Sequence, residues 1–201
     1  SLDNCTLLTY LTFGSLFNHP LSNSLNNCTS LTHIVFGESF TQSFGSLFNH
    51  PLSNSLDNCK SLTYIKFGKS FNQPLDDFLV NCVSLTHIGL GHNFNQKNDL
   101  PHNIKSLSLN SNNRFYTEYL PDTIEELELG VCFNLKLDNL PSTIKKITFD
   151  VDSEYDKELN CLPNGLLILK LPAGYNQKMH LIPSALTELI CCEDYPYHKD
   201  F

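Results

Sequence analysis

Apolar residues recur along this chain with a short alternation nested in a long period. Each copy reads leucine or isoleucine, two residues, an apolar residue, one residue, a second apolar residue, and an aromatic a few positions on. Copies run Leu8/Leu11/Phe13/Phe17, Leu31/Ile34/Phe36/Phe40, Leu62/Ile65/Phe67/Phe71 and Leu85/Ile88/Leu90/Phe94. They continue as Ile104/Leu107/Leu109/Phe115, Ile124/Leu127/Leu129/Phe133, Ile144/Ile147/Phe149/Tyr155, Leu166/Leu169/Leu171/Tyr175 and Leu186/Leu189/Cys191/Tyr195. From one middle apolar residue to the next the intervals are 23, 31, 23, 19, 20, 20, 22 and 20 residues.

Apolar residues two apart point the same way from a short strand. A strand that short cannot bury its own apolar face, but stacked on copies of itself it can. Periods in the twenties with this alternation belong to leucine-rich repeats. The expected fold is a leucine-rich-repeat-like horseshoe: a solenoid of about nine coils, mostly 19–23 residues each, with short parallel strands forming a concave sheet. Nine strands at roughly 4.8 Å spacing span about 40 Å. A 20-residue coil leaves little room for helix, so extended or 3₁₀ segments are expected opposite the sheet, with at most a single helical turn in the 23-residue coils.

Two kinds of coil share the chain. The first half carries Asn-Cys three residues before the first apolar strand position (Cys5, Cys28, Cys59, Cys82) and Phe-Asn-x-Pro-Leu after the strand, at Phe17–Leu21 and Phe71–Leu75. The second half replaces Asn-Cys with Leu-Pro or Ile-Pro, at Pro101, Pro121, Pro141, Pro163 and Pro183. There proline fixes φ and lacks a donor, which suits an unpaired corner. With no linker at the switch, one solenoid over residues 1–201 is expected, with Asn-Cys coils over 1–98 and Leu-Pro coils over 99–201. FGSLFNHP occurs at Phe13–Pro20 and again at Phe44–Pro51, so the 31-residue interval reads as 23 plus a duplicated 8. A bulge near residues 41–50 is expected, with Phe44, Leu47 and Phe48 packing on the solenoid or a partner. An unselected insertion is favoured over a functional loop.

The Phe-Asn-x-Pro-Leu turns and Leu-Pro-x-x-Ile lead-ins resemble the FNIP-type leucine-rich repeats of social amoebae and amoeba-infecting giant viruses. The Asn-Cys-x-Ser-Leu-Thr lead-in is similar to leucine-rich repeats of protist surface proteins. The resemblance implies a solenoid used for protein recognition, acting in a host cytoplasm or a virion. In amoebal and viral proteins such repeats are sometimes attached to an F-box, and no F-box-like helical segment is seen here.

Composition narrows the function. Thirteen basic against 21 acidic side chains give a net charge of −8, which argues against nucleic acid or an anionic membrane as the main partner, and no apolar run approaches the roughly 18 residues that membrane insertion needs. Cys5, Cys28, Cys59 and Cys82 recur in register and read as stacked core thiols, with Cys132 and Cys161 also assigned to the core. No paired carboxylates, phosphate loop or metal-ligand spacing is present, so neither enzyme activity nor a cofactor is expected. The Asn residues after the aromatics (Asn18, Asn72, Asn95, Asn134, Asn176) are read as satisfying backbone groups in tight corners.

Residues flanking the buried strand positions face the open side. One such column reads Tyr10, His33, Tyr64, His87, Ser106, Glu126, Lys146, Ile168 and Glu188; the other reads Thr12, Val35, Lys66, Gly89, Ser108, Glu128, Thr148, Lys170 and Ile190. Tyr and His offer apolar area with a polar tip, a composition that suits recognition. The candidate partner-binding residues are therefore Tyr10, His33, Tyr64, Lys66, His87, Glu126, Glu128 and Lys146, on the concave face, with a protein as partner. His33 and His87, separated by one coil, stand roughly 10 Å apart by strand spacing, too far to share an ion unaided. The alternative is a structural repeat segment of a larger assembly, a virus particle or a cell-surface layer, with uncapped ends contacting neighbouring chains.

Overall fold

The computed structural model describes residues 2, 4–37, 46–97, 100–113 and 118–198, and the side chains of all of these except 76 and 77. Nine short strands lie among them, each on a predicted apolar-x-apolar segment. They are β1 (Tyr10–Phe13), β2 (His33–Phe36), β3 (Tyr64–Lys66), β4 (His87–Leu90), β5 (Ser106–Leu109), β6 (Glu126–Leu129), β7 (Lys146–Phe149), β8 (Ile168–Lys170) and β9 (Glu188–Ile190). The chain divides into two compact units, Ser1–Ile104 and Lys105–Phe201.

In the first unit, β1 to β4 pair in chain order, all parallel. Leu11, Ile34, Ile65 and Ile88 lie opposite one another. The inner residues Ile34, Phe36, Ile65 and Phe67 are at most 1% exposed. A threonine just before each strand ties one coil to the last. The backbone N–H groups of Thr32 and His33 both donate to the Thr9 carbonyl, those of Thr63 and Tyr64 to Thr32, and those of Thr86 and His87 to Thr63. The threonine hydroxyls donate to the same carbonyls. Two of the three longer coils fit one short helical turn each, a 3₁₀ turn at Ser53–Leu56 and α1 (Asp76–Leu79), while the coil between β1 and β2 has turns only.

The 31-residue interval resolves differently from the sequence reading. Phe48, not Phe40, fills the aromatic position of the second coil. It is fully buried and stacks on Phe36 at 4.3 Å, on Phe17 at 5.8 Å and on Phe71 at 6.1 Å between ring centroids. Asn49 joins the corner row. The backbone N–H of Asn49 donates to Asn18 Oδ1 (3.3 Å), that of Asn72 to Asn49 Oδ1 (2.8 Å), and that of Asn95 to Asn72 Oδ1 (2.8 Å). Residues 46–50 are therefore regular coil served by β2, and the rest of the expected bulge, residues 41–45, lies outside the described residues. Ser46 rejoins beside Gly37, its amide nitrogen 3.3 Å from where a Gly37 Cβ would stand. Residues 38–45, Phe40 and Phe44 among them, lie outside the described residues. The coils approach so closely that a Cβ on Gly91 would sit 2.0 Å from the Gly68 carbonyl oxygen.

The cysteine row is buried at Cys28, Cys59 and Cys82 and half-exposed at Cys5. Each buried thiol faces a carbonyl: Cys28 that of Leu2, Cys59 that of Leu25 and Cys82 that of Phe78. Burial, with smaller additions from a neighbouring cysteine and Asp57, pushes the Cys59 and Cys82 thiols up to about 12.

In the second unit, β5 to β9 also pair in order and in parallel. Leu107, Leu127, Ile147 and Leu169 form the inner row, each at most 1% exposed. The aromatic row continues as Phe133, Tyr155, Tyr175 and Tyr195, with successive ring centroids 6.2, 6.2 and 5.9 Å apart. Phe115 lies outside the described residues. Tyr175 and Tyr195 donate their hydroxyls to the carbonyls of Lys157 and Gln177, each in the preceding coil. Tyr155 is buried with no partner for its hydroxyl among the described residues. Cys161 is exposed and Cys132 half-exposed, against the core placement expected for both. Neither cysteine stands three residues before the first apolar strand position, the place that buries Cys28, Cys59 and Cys82.

Candidate functional site

The parallel register places the first-unit ring residues in one row. Tyr10 pairs with His33, His33 with Tyr64, and Tyr64 with His87. The rings stack. Centroids are 5.1 Å apart for Tyr10–His33 at 20° between planes, 5.4 Å for His33–Tyr64 at 25°, and 6.1 Å for Tyr64–His87 at 33°. Tyr10 is 57% exposed; His87 is exposed, and His33 and Tyr64 are half-buried. Aromatic area is thus held in place by its own neighbours while its edges remain open.

The threonine row also orients the imidazoles, a link the sequence reading missed. Nδ1 of His33 lies 2.9 Å from Thr32 Oγ1, and Nδ1 of His87 lies 2.8 Å from Thr86 Oγ1. Thr32 already spends its one hydroxyl proton on the Thr9 carbonyl at 2.8 Å. Its oxygen can therefore only accept from His33, which puts the neutral ring's proton on Nδ1 and an acceptor lone pair on Nε2. Thr86 sits the same way toward the Thr63 carbonyl. The signal was present as Leu-Thr-x-Ile at Leu31–Ile34, Leu62–Ile65 and Leu85–Ile88.

The second column differs in relief. Val35 and Lys66 are half-buried, and Gly89 has no side chain and is buried. Lys66 lies across Gly89, where a Cβ would stand 2.9 Å from Lys66 Cγ. The ring row is therefore flanked by a lower strip at β4.

In the second unit the charged residues contact each other. Lys146 Nζ lies 3.8 Å from Glu126, Lys105 Nζ lies 2.7 Å from Glu125, and Ser108 donates to Glu128 at 2.5 Å. Side chains in the two ion pairs are 39–59% exposed, so each pair is worth about 0–1 kcal/mol. Ser106, expected on the open face, is buried.

Elsewhere in the first unit an apolar groove of about 580 Å³ runs past Leu75, Leu79, Val80, Val83, Leu100 and Pro101. Among the described residues no group of three or more His, Cys, Asp or Glu could hold a metal ion, and no helix is long and apolar enough to cross a membrane.

Residues 96–132 match the FNIP Repeat family. The chain is similar to the crystal structure of CroV588 from the giant virus CroV, described as a novel circular leucine-rich-repeat protein. The likeness holds at 28% identity over 94% of this chain, with a TM-score of 0.63. It spans 31% of that protein's length. An internalin (inlF) of Listeria monocytogenes is similar over 86% of this chain and 71% of its own, at 12% identity and a TM-score of 0.35, too distant to inform the fold. No curated protein matches the sequence. Repeat folds of this kind commonly serve as protein-interaction scaffolds and are typically non-catalytic. Parallel strands in register and a stacked aromatic row in each unit, with the FNIP Repeat match over residues 96–132 and the likeness to CroV588, give this chain a leucine-rich-repeat fold.

Proposed function

We propose that this chain is a non-enzymatic recognition module that binds a partner protein through the open face of its first-unit strands. The stacked row Tyr10, His33, Tyr64 and His87 carries the reading, with Lys66 beside it. Rings already immobilised by stacking lose little freedom on binding, and they combine apolar area with polar edges, the composition of interface hot spots. Glu126, Glu128 and Lys146 have a lesser share because their charges are largely spent on each other and on Ser108. A reducing compartment such as a host cytoplasm suits the unbridged thiols.

The test is affinity capture from the source cells with the full chain and with a Tyr64→Ala/His87→Ala variant. Both substitutions lie on partly exposed positions, so the fold survives and circular dichroism checks it. A partner held at fixed stoichiometry by the native chain and lost with the variant supports the reading. Equal capture by both overturns it.

A second reading, a repeat segment within a larger particle or surface layer, is favoured by the first coil. Leu8, Leu11, Phe13 and Phe17 are half-exposed where their counterparts in the next coil are fully buried, and Leu7 and Leu16 are over 80% exposed. Sedimentation of the pure chain distinguishes the two. Self-association abolished by Leu16→Glu favours assembly, and a monomer at high concentration favours recognition.

A further inference from the structure

A proline turn leads into each of β5 to β9, closed by an N–H that donates back to the proline carbonyl. The pairs are Ile104 to Pro101, Ile124 to Pro121, Ile144 to Pro141, Leu166 to Pro163 and Leu186 to Pro183. The turn before β8 has Asn164 and Gly165 at its two central places, and this is the one Asn-Gly pair in the sequence. Asn-Gly is the dipeptide most prone to cyclise. The nitrogen of the following residue attacks the asparagine side chain, and a glycine has no Cβ to shield that nitrogen.

The surroundings favour the attack. Asn164 is exposed, and its side-chain amide has no hydrogen-bond partner among the described residues. The nucleophile is the Gly165 nitrogen after loss of its proton, and the resulting charge spreads onto the Asn164 carbonyl oxygen. That oxygen accepts from the Ala185 N–H at 3.2 Å. Lys145 Nζ donates to the Gly165 carbonyl at 3.4 Å and stands 2.9 Å from where a Gly165 Cβ would be. A hydrogen bond to an anion and a cation beside it both favour the ionised form. Other asparagines are held away from this chemistry. Asn103, in the Pro101 turn, donates its amide to the Val83 and Leu85 carbonyls and precedes a branched isoleucine. The corner residues Asn18, Asn49 and Asn72 each keep Oδ1 on an N–H of the next coil.

We propose that Asn164–Gly165 is a self-modification site, at which the folded chain converts its own asparagine to aspartate and isoaspartate. The Gly165 nitrogen gives its proton to hydroxide and bonds to Asn164 Cγ. The side-chain nitrogen of Asn164 takes a proton from water and leaves as ammonia, closing a five-membered succinimide. Water then opens the ring. Cleavage of the new N–Cγ bond gives aspartate, and cleavage of the bond to the main-chain carbonyl gives isoaspartate. Water is consumed, ammonia is released, and nothing is oxidised or reduced. Isoaspartate runs the backbone through Cγ, so the turn gains one atom and the Asn164 carbonyl becomes a carboxylate. Two bonds depend on that geometry, Leu166 N–H to Pro163 and Ala185 N–H to Asn164, so the lead-ins to β8 and β9 loosen together. The site is separate from the recognition reading, because β8 and β9 carry none of the residues in the ring row.

The test incubates the full 201-residue chain at pH 8, folded and in guanidinium chloride, and follows every asparagine by peptide mass spectrometry. Isoaspartate is counted by methyl transfer from S-adenosylmethionine with an isoaspartyl methyltransferase. In the folded chain Asn164 is expected to react at least tenfold faster than any other asparagine, and no slower than in the unfolded chain. Gly165→Ala should slow the reaction at least tenfold. Lys145→Met, which removes the cation and leaves the Asn-Gly pair intact, should slow it at least threefold. Both positions are partly exposed, and circular dichroism checks that each variant is folded. Slower reaction in the folded than in the unfolded chain overturns the inference, because the fold would then protect the pair. An undiminished rate in either variant, or another asparagine reacting ahead of Asn164, overturns it as well.

Discussion

Replacing Phe48 with alanine tests the coil assignment most directly. The ring is fully buried and sits between Phe17 and Phe71 while lying flat on Phe36 at 4.3 Å. Removing it opens a cavity bounded by three other rings of the stack, and a rigid stack closes such a hole poorly. Buried Phe→Ala substitutions destabilise by about 3–5 kcal/mol. The upper half of that range applies because the lost contacts lie on both faces of the coil, and a solenoid's stability resides largely in such nearest-neighbour interfaces. Urea unfolding followed by circular dichroism reads the effect. With a slope of about 2–3 kcal/mol/M, the midpoint should fall by roughly 1.5–2 M in the coils that contain the site. Phe48→Leu, which keeps most of the volume, should recover more than half of the loss. A Phe48→Ala shift below about 1 kcal/mol would mean that Phe48 is not the aromatic of the second coil, and the alignment of residues 46–50 with Ser15–His19 would collapse.

Deleting residues 38–45 should leave the fold intact, because Gly37 then joins Ser46 as Gly14 joins Ser15; a cooperative melt within a few degrees of the parent checks this, and aggregation or loss of the circular dichroism spectrum refutes it. Tyr155→Phe should raise stability by about 1 kcal/mol, since it removes a buried hydroxyl lacking a partner among the described residues and copies the Phe133 of the preceding coil. Gly91→Ala should destabilise by roughly 1–3 kcal/mol, because its Cβ would meet the Gly68 carbonyl oxygen at 2.0 Å. Stability should fall as pH rises from about 9 toward about 12, because Cys59 and Cys82 have folded values raised from 9.0 to about 12 and only the unfolded chain loses those protons in that window. Urea midpoints at pH 8 and pH 10.5 measure it, and a Cys59→Ala/Cys82→Ala variant should flatten the slope.

Much of this was legible because a solenoid writes its contacts into sequence period. Ile34, Ile65 and Ile88 face one another in the sheet because they share a place in the repeat, and the open-face columns came out in register for the same reason. The reading failed where two segments competed for one place. Phe40 and Phe48 both follow β2 with apolar spacing, and only packing decides that Phe48 enters the stack. Cys161 misled because, although it too follows an asparagine, it stands five residues before Leu166, where the buried cysteines stand three before their leucines. The orientation of His33 was hidden for another reason. It depends on a proton that Thr32 has already given to a different coil, a relation across 23 residues that no local pattern displays.

The way Ser46 rejoins beside Gly37 has a consequence for how such chains change length. In the first unit strand register is reset coil by coil by the threonine carbonyl before the strand and the asparagine amide after it, and both tethers reach back only to the preceding coil. An error in copying one turn is therefore absorbed at that turn and is not passed on to β3. The repeat behaves like ruled paper, on which a word may be written twice on one line without moving the lines below.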